Sequence, residues 1–269
     1  MRRNSAVQKM AYPIAPHGET AGVQWEGTAE HFVGWHAYFR NAYEPETLAV
    51  MAAILRPGMR MIEVGANEGY HSVFAAWSVG AEGLVHAYEP YGCARDWIIR
   101  NVARLGWQAR IAVHAVAVAA APGATTLYIP DEHEENQGVG GLRVTSVLQT
   151  KQTTAQVVTL DAEHESETVG LIKIDVQGGE ADVLHGAARL LDRCRPALYF
   201  EVGDAATMDA IDVAKESGYV VRRVLSSSHA PFFSLSDDID GTWFGNCLAI
   251  HRECLEVFDR HIVARRHAG

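Results

Sequence analysis

The sequence predicts an α/β fold built on a mostly parallel sheet with helices on both faces, and three observations predict it. From Met59 onward, short β-branched runs alternate with amphipathic stretches, the pattern of buried strands joined through helices. The residues that close these runs are biased toward acids, as expected where a parallel sheet presents its carboxyl edge to a ligand. A length of 269 residues with 48% hydrophobic and 21% charged residues suits one domain with a substantial core.

The elements read in order. MRMIEV is a first buried strand, opened by the Pro57-Gly58 turn signal and followed by a glycine-containing loop and the helix-like YHSVFAAWSV. LVHAYEP is a second strand that ends on an acid. A helix with Ala94, Ile98, Val102 and Leu105 on one face follows, then the strand IAVHAV. Between Ala119 and Thr159 the pattern loosens into ATTLYI, a polar glycine-rich loop and AQVVTL, which predicts a hairpin-like β insertion after the third strand. The alternation resumes with LIKIDV, one helix carrying Val183, Leu184, Ala187, Leu190 and Leu191, and the strand ALYFEV. A helix from about Thr207 to Ser217, the strand YVVRRVL, a long loop and the closing strand FGNCLAIH complete the chain.

Residues 1–45 lack clear periodicity but hold Trp25, Phe32, Trp35, Tyr38, Phe39 and Tyr43, an aromatic density unlike that of a disordered tail. They are expected either to staple onto the outside of the sheet or to form a lid, leaving residues 46–269 as the main domain.

Composition excludes several classes. A formal charge of −10 disfavours nucleic acid as a partner. No apolar stretch is long enough for a bilayer and no apolar region follows Arg2-Arg3, so neither a membrane nor a secretory route is expected, and the cytoplasm is the expected compartment. The four cysteines, Cys93, Cys194, Cys247 and Cys254, are scattered, form no CxxC pair, and read as reduced. Whether the chain forms a homo-oligomer stays open.

The strand ends carry the chemistry. Strand one holds Glu63 and runs into Gly65-Ala66-Asn67-Glu68-Gly69; strand two ends at Glu89-Pro90; LIKIDV ends at Asp175 and ALYFEV at Glu201. The glycines permit a tight turn and close approach of a ligand to the backbone, and the loop lacks the lysine and hydroxyl of a phosphate-binding Walker loop. Glu89, 20 residues after Gly69, is placed to accept both hydroxyls of a ribose. That pair implies an adenosine-containing ligand. A pyrophosphate would want a GxGxxG loop, whereas the ammonium and sulfonium of S-adenosylmethionine are attracted by acids, so the acidic rim favours S-adenosyl-L-methionine over NAD.

Taken together, IEVGANEGYHS, VHAYEP, VTLDAEHESETVGLIKIDVQGGEADVLHGA and ALYFEV resemble the FkbM-type methyltransferases over roughly Tyr43 to Ile250. The resemblance implies a Rossmann-like, seven-stranded sheet with an antiparallel last strand, and methylation of hydroxyls on secondary metabolites or sugars. It implies that Gly65, Ala66, Asn67, Gly69 and Tyr70 surround the methionyl part of the cofactor, with Glu63 the strand-one acid and Ser72 meeting the cofactor's carboxylate. Glu89 would hold the ribose, Pro90 would shape its turn, and Val116 and Ala117 would lie near the adenine. Two departures stand out: the usual aspartate at position 63 is Glu63, and where the family commonly reads DVEGAE this chain has Asp175-Val176-Gln177-Gly178-Gly179-Glu180. Gln177 removes a charge and with it any role there as base or metal ligand, and Glu180 reads as a structural acid in the first turn of a helix.

Methyl transfer rests on positioning, with a base needed only to remove a proton. The catalytic candidates are Asp175, Glu201 and His229, the last on the loop between the final two strands. A divalent metal between Asp175 and Glu201 lacks an evident third ligand and is not favoured, and the histidine spacings suggest no metal set. The acceptor is expected to be a small hydroxylated molecule. An N-methyltransferase, a nucleotide-binding oxidoreductase and a non-catalytic cofactor-binding protein remain alternatives.

Overall fold

The structure, a computed structural model, describes residues 9–13, 23–40, 42–130, 150–203, 208–226, 233–239 and 244–266. The N-terminal part holds the antiparallel pair β1 (Lys9–Pro13) and β2 (Gln24–Thr28), then α1 (Phe32–Arg40) and α2 (Pro45–Ile54). The alternating part begins with β3 (Arg60–Val64), α3 (Tyr70–Val79), β4 (Leu84–Tyr88), α4 (Gly92–Leu105) and β5 (Ile111–His114). An insertion follows, made of β6 (Ala117–Val118), β7 (Gly123–Pro130), β8 (Thr150–Val158) and the short α5 (Leu160–Glu163). Then come β9 (Leu171–Ile174), α6 (Glu180–His185), α7 (Ala188–Cys194), β10 (Ala197–Val202), α8 (Asp209–Glu216), β11 (Tyr219–Ser226), β12 (Phe233–Ser236), β13 (Gly245–His251) and α9 (Leu255–Arg266).

The main sheet has eight strands in the order β12-β11-β13-β10-β9-β3-β4-β5. β5, β4, β3, β9 and β10 run parallel to one another, and β13 runs antiparallel to both β10 and β11, as expected of the last strand. The expected count of seven is exceeded by β12, which pairs antiparallel with β11 inside what the sequence reads as a long loop. The four residues Phe-Ser-Leu-Ser alternate, so Phe233 is buried in the core and Leu235 packs against the same cluster, the period-2 signature of a strand. Four residues are too short a run to stand out beside the polar Asp237-Asp238. The β insertion is a separate three-stranded sheet, β6-β8-β7.

Strand parity divides the interior in two. Met61, Val85, Ala87 and Ile111 join α2, α3 and α4 in one core, whereas Ile62, Val64, Tyr88, Ile172 and Ile174 join α6, α7 and α8 in the other. The helix expected across Val183 to Leu191 is two helices, broken at Gly186. A Cβ there would lie 2.2 Å from the carbonyl oxygen of Ala119, so the backbones touch at a distance only glycine permits. The carboxylate of Asp161 then accepts the backbone N–H groups of Arg189 and Leu190 at 3.1 and 2.8 Å, satisfying donors that the first turn of α7 would otherwise leave unpaired. Among the described residues no helix is long and apolar enough to cross a membrane.

Candidate active site

The order of strands reverses at β3, where the chain builds outward through β4 and β5 and then returns to lay β9 on the other side. Ligand crevices in open α/β sheets form at such a point, beyond the carboxyl ends of the strands. The loop from Gly65 to Gly69 leaves β3 there. Gly65 and Ala66 donate their N–H groups to the carbonyl of Tyr88. Gly65 has φ +79°, and a Cβ on it would lie 1.9 Å from the carbonyl oxygen of Asp175, so the loop and the end of β9 are in backbone contact. Asn67 and Gly69 also have positive φ, and Gly69 hands the chain into α3.

Six of the sequence-predicted residues, Glu63, Gly65, Ala66, Asn67, Tyr70 and Asp175, line one pocket. Val33 and Tyr43 close it from the N-terminal segment, and Glu68, His71 and Lys173 complete its wall. The N-terminal segment is fastened here: Trp25 Nε1 donates to the carbonyl of Glu68 at 3.0 Å, His31 Nδ1 pairs with Glu68 Oε1, and the Tyr43 N–H donates to the Tyr70 hydroxyl at 3.4 Å.

Inside the pocket wall Glu63 and Lys173 are opposite one another in register on β3 and β9, both almost fully buried. Lys173 Nζ lies 3.6 Å from Glu63 Oε1 and 3.2 Å from Asp175 Oδ2. Burial alone would lower the ammonium's pKa, but Asp175, Glu63 and Glu44 outweigh it and hold the pKa above its ordinary value. Burial raises Glu63, with Lys173 and the Ser72 hydroxyl pulling the other way. Ser72 is itself fully buried and donates Oγ–H to Glu63 Oε2. Sequence reasoning missed Lys173; the signal was a lysine in the middle of the otherwise apolar run LIKI.

Glu89 ends β4 with its carboxylate accepting the N–H groups of Asn67 and Tyr91, both at 2.8 Å. It is 8% exposed, and burial pushes its pKa up to about 7 against those hydrogen bonds. Arg95 Nη1 donates to the carbonyls of Glu89 and Pro90, which fixes the turn beside that carboxylate. Val116 packs against the second core, while Ala117 turns into the small core of the insertion with Leu127, Ala155 and Val157.

Asp175 and Glu201 end adjacent strands, and Gln177 stands between them. Its amide nitrogen lies 3.4 Å from Asp175 Oδ1 and 3.3 Å from Glu201 Oε2, so an amide donor links the two acids. Burial and repulsion from Asp175 push Glu201 up to about 7. Glu180 opens α6 and receives the N–H groups of Val176 and Gly178, the structural role its position predicts. His229 lies outside the described residues. His71, in the first turn of α3, also lines the pocket; burial lowers its pKa well below the ordinary value, and its Nε2 makes no hydrogen bond.

The model of the methyltransferase FkbM domain family matches residues 63–227, more than half of the chain, and the chain belongs to that family. No curated protein matches the sequence. Among solved structures, the chain is similar to methyltransferase FkbM from Methylobacillus flagellatus KT, with 17% identity, a TM-score of 0.46, and coverage of 76% of this chain and 50% of that one. It therefore spans half the length of that protein. A SAM-dependent O-methyltransferase from Thermotoga maritima shares 11% identity with a TM-score of 0.46, covering 81% of this chain and 70% of that one. A SAM-dependent methyltransferase from Aquifex aeolicus shares 15% identity with a TM-score of 0.43, covering 77% and 89%.

Proposed function

We propose that this chain transfers the methyl group of S-adenosylmethionine to a hydroxyl of a small secondary metabolite or sugar. The observation that carries the reading is the convergence at one end of the sheet of Glu63 and Asp175, which line the pocket, Glu89, which accepts from Asn67, and Glu201, linked to Asp175 through Gln177, around a glycine turn in backbone contact with Asp175. The residues fit such a cofactor. The pocket wall holds a buried carboxylate oxygen, Glu68 Oε2, that has no hydrogen-bond partner, as a site for a cationic ligand requires.

In this reading Glu89 holds the ribose, Gly65, Ala66, Asn67, Gly69 and Tyr70 surround the methionyl end, and Pro90, Val116 and Ala117 flank the adenosine. Ser72 acts through Glu63, whose carboxylate it holds. Bound there, the cofactor supplies an electrophilic methyl group on its sulfonium. Asp175, fixed by Lys173, orients the acceptor hydroxyl and takes up its proton on a carboxylate oxygen. Glu201, with a pKa pushed up to about 7, can hold or release a proton at neutrality and serves as the neighbouring acid–base group. His71 offers a neutral imidazole on the same wall, and His229 remains a further base candidate. Residues 1–45 act as a cap, since Val33 and Tyr43 close the pocket. The exposed Trp35, Tyr38 and Phe39 of α1 offer aromatic surface to an acceptor.

Methyl-labelled cofactor incubated with this protein and fractionated extract of hydroxylated metabolites should yield a labelled methyl ether. A labelled amine product would overturn the hydroxyl assignment. In calorimetry Glu89→Ala should weaken S-adenosylmethionine binding by about 1.5–3 kcal/mol, the worth of hydrogen bonds to a charged acceptor; an unchanged affinity would remove Glu89 from the site.

A further inference from the structure

On the opposite side of the sheet from Glu63 and Lys173, three side chains far apart in sequence converge. His86 projects from the middle of β4, opposite Ile62 in register and so toward the second core, while His164 and Glu167 come from the segment between α5 and β9. We propose that His86 Nε2, His164 Nδ1 and Glu167 Oε2 form a binding site for a divalent transition metal of the zinc type.

The distances support it. The three ligand atoms lie within 4.8 Å of one another, with His86 Nε2 at 3.1 Å and His164 Nδ1 at 2.8 Å from Glu167 Oε2. Zinc bonds of about 2.0–2.1 Å in a tetrahedron separate neighbouring ligand atoms by roughly 3.3–3.4 Å, so these two pairs need to open by roughly 0.2–0.6 Å. His86 is 7% exposed, and its Nε2 has no hydrogen-bond partner although the carboxylate is close. A buried ring nitrogen without a hydrogen-bond donor or acceptor on it has its lone pair available to ligate a cation.

The nitrogens that would face away from the metal are already held. His86 Nδ1 lies 3.2 Å from His114 Nε2, and His164 Nε2 lies 2.8 Å from the Tyr88 hydroxyl. The Tyr88 ring stacks on His114 at 4.3 Å between centroids. Such outer partners set the tautomer and ring orientation of ligating histidines. Glu167 is oriented too: its Oε1 faces Arg60 Nε at 3.7 Å, leaving Oε2 for the metal, and Arg193 Nη2 donates to the carbonyls of His164 and Glu167. Arg60 is half exposed, so solvent screens its repulsion of a cation.

Two imidazoles and a carboxylate suit zinc better than magnesium, which prefers an all-oxygen shell. The partly exposed Glu167 leaves an entry path and a fourth position for water. The metal would pin the segment after the insertion to the central sheet, on the face opposite Glu63 and Lys173, and the proposal stands independently of the methyl-transfer reaction.

The test uses the full chain, freed of metal by dialysis against chelator and titrated with zinc sulfate in a calorimeter. One equivalent should bind per chain and raise the melting temperature. His86→Ala and Glu167→Gln should each lower the affinity by about a hundredfold or more, Tyr88→Phe by about tenfold through the outer shell, and Asp175→Asn not at all. Cobalt added to the wild type should give the visible spectrum of a four-coordinate nitrogen–oxygen site, a readout that survives if His86→Ala fails to fold. No bound zinc, an affinity unmoved by Tyr88→Phe and Glu167→Gln, or a cobalt spectrum that is six-coordinate or carries a thiolate band would each overturn the proposal.

Discussion

Glu89 gives the ligand-free protein a pH-dependent stability whose size follows from its burial. Its pKa rises from 4.5 to about 7, chiefly through desolvation, with the N–H groups of Tyr91 and Asn67 pulling in the other direction. At about 1.4 kcal/mol per unit, that shift corresponds to about 3 kcal/mol of folding free energy. The folded pKa is raised, so the contribution is complete below 4.5, where the carboxyl is protonated in both states, and is lost as pH climbs through about 7. Between pH 5 and pH 8 about 2.5 kcal/mol of it should disappear. Replacing Glu89 with Ala removes this term and leaves two backbone N–H groups without their acceptor, a penalty that does not vary with pH. Urea unfolding followed by tryptophan fluorescence at pH 5 and pH 8 separates the two effects. Wild type should lose about 2.5 kcal/mol more than Glu89→Ala across that interval, even though the variant is the less stable protein at pH 5. Glu201, also pushed up to about 7, adds its own slope to both proteins and cancels in the comparison. Superimposable pH profiles would mean that Glu89 ionises in the folded state as it does in the unfolded chain, and the desolvation argument would fail.

Three further outcomes follow from the same geometry. Gly65→Ala should destabilise the ligand-free protein by about 2 kcal/mol or more in urea, because its Cβ would meet the carbonyl oxygen of Asp175 at 1.9 Å and its φ is one that side chains resist; a variant of wild-type stability would refute the contact. Lys173→Met strands Glu63 and Asp175 without their cation and should cost about 3–5 kcal/mol, recovered in part by adding Glu63→Leu; full additivity of the two changes in a double-mutant cycle would show that they do not interact. Asp175→Asn keeps the shape of the side chain and removes its basicity, so kcat should fall about a hundredfold with little change in cofactor affinity; normal turnover would leave Asp175 a structural acid.

Much of the fold is legible in the sequence because the central strands are buried on both faces and read as apolar runs between turns. What escapes is local. The helix through Val183 to Leu191 keeps its apolar spacing across Gly186, and only the close approach of Ala119 reveals that the chain must break there. β12 is hidden because its partner is set by a hairpin with β11, not by any property of its four residues alone. α9 and the pairing of β1 with β2 depend on packing that periodicity does not encode.

The site divides along the same line. Residues that act through the backbone or at a strand end, such as Gly65, Glu89 and Asp175, carry their position in the sequence, since a strand terminus is readable from the run before it. Residues that act through a neighbour on another strand do not. Glu63 and Lys173 stand 110 positions apart and meet only because β3 and β9 pair with Glu63 opposite Lys173. A register shift of one residue would turn Lys173 into the second core beside Leu184 and Phe200. The pairing is therefore held in place by the apolar residues that alternate with it: Ile62 and Val64 on β3, and Ile172 and Ile174 on β9, all commit to the second core. That commitment forces Glu63 and Lys173 to the other face, where each offsets part of the other's burial, together with Asp175 and Ser72. The charge at the pocket wall is thus specified by hydrophobic residues on the opposite side of the sheet. An Ile172→Lys change should accordingly disturb the register of β9, and with it the pocket, more than any single substitution at an exposed acid.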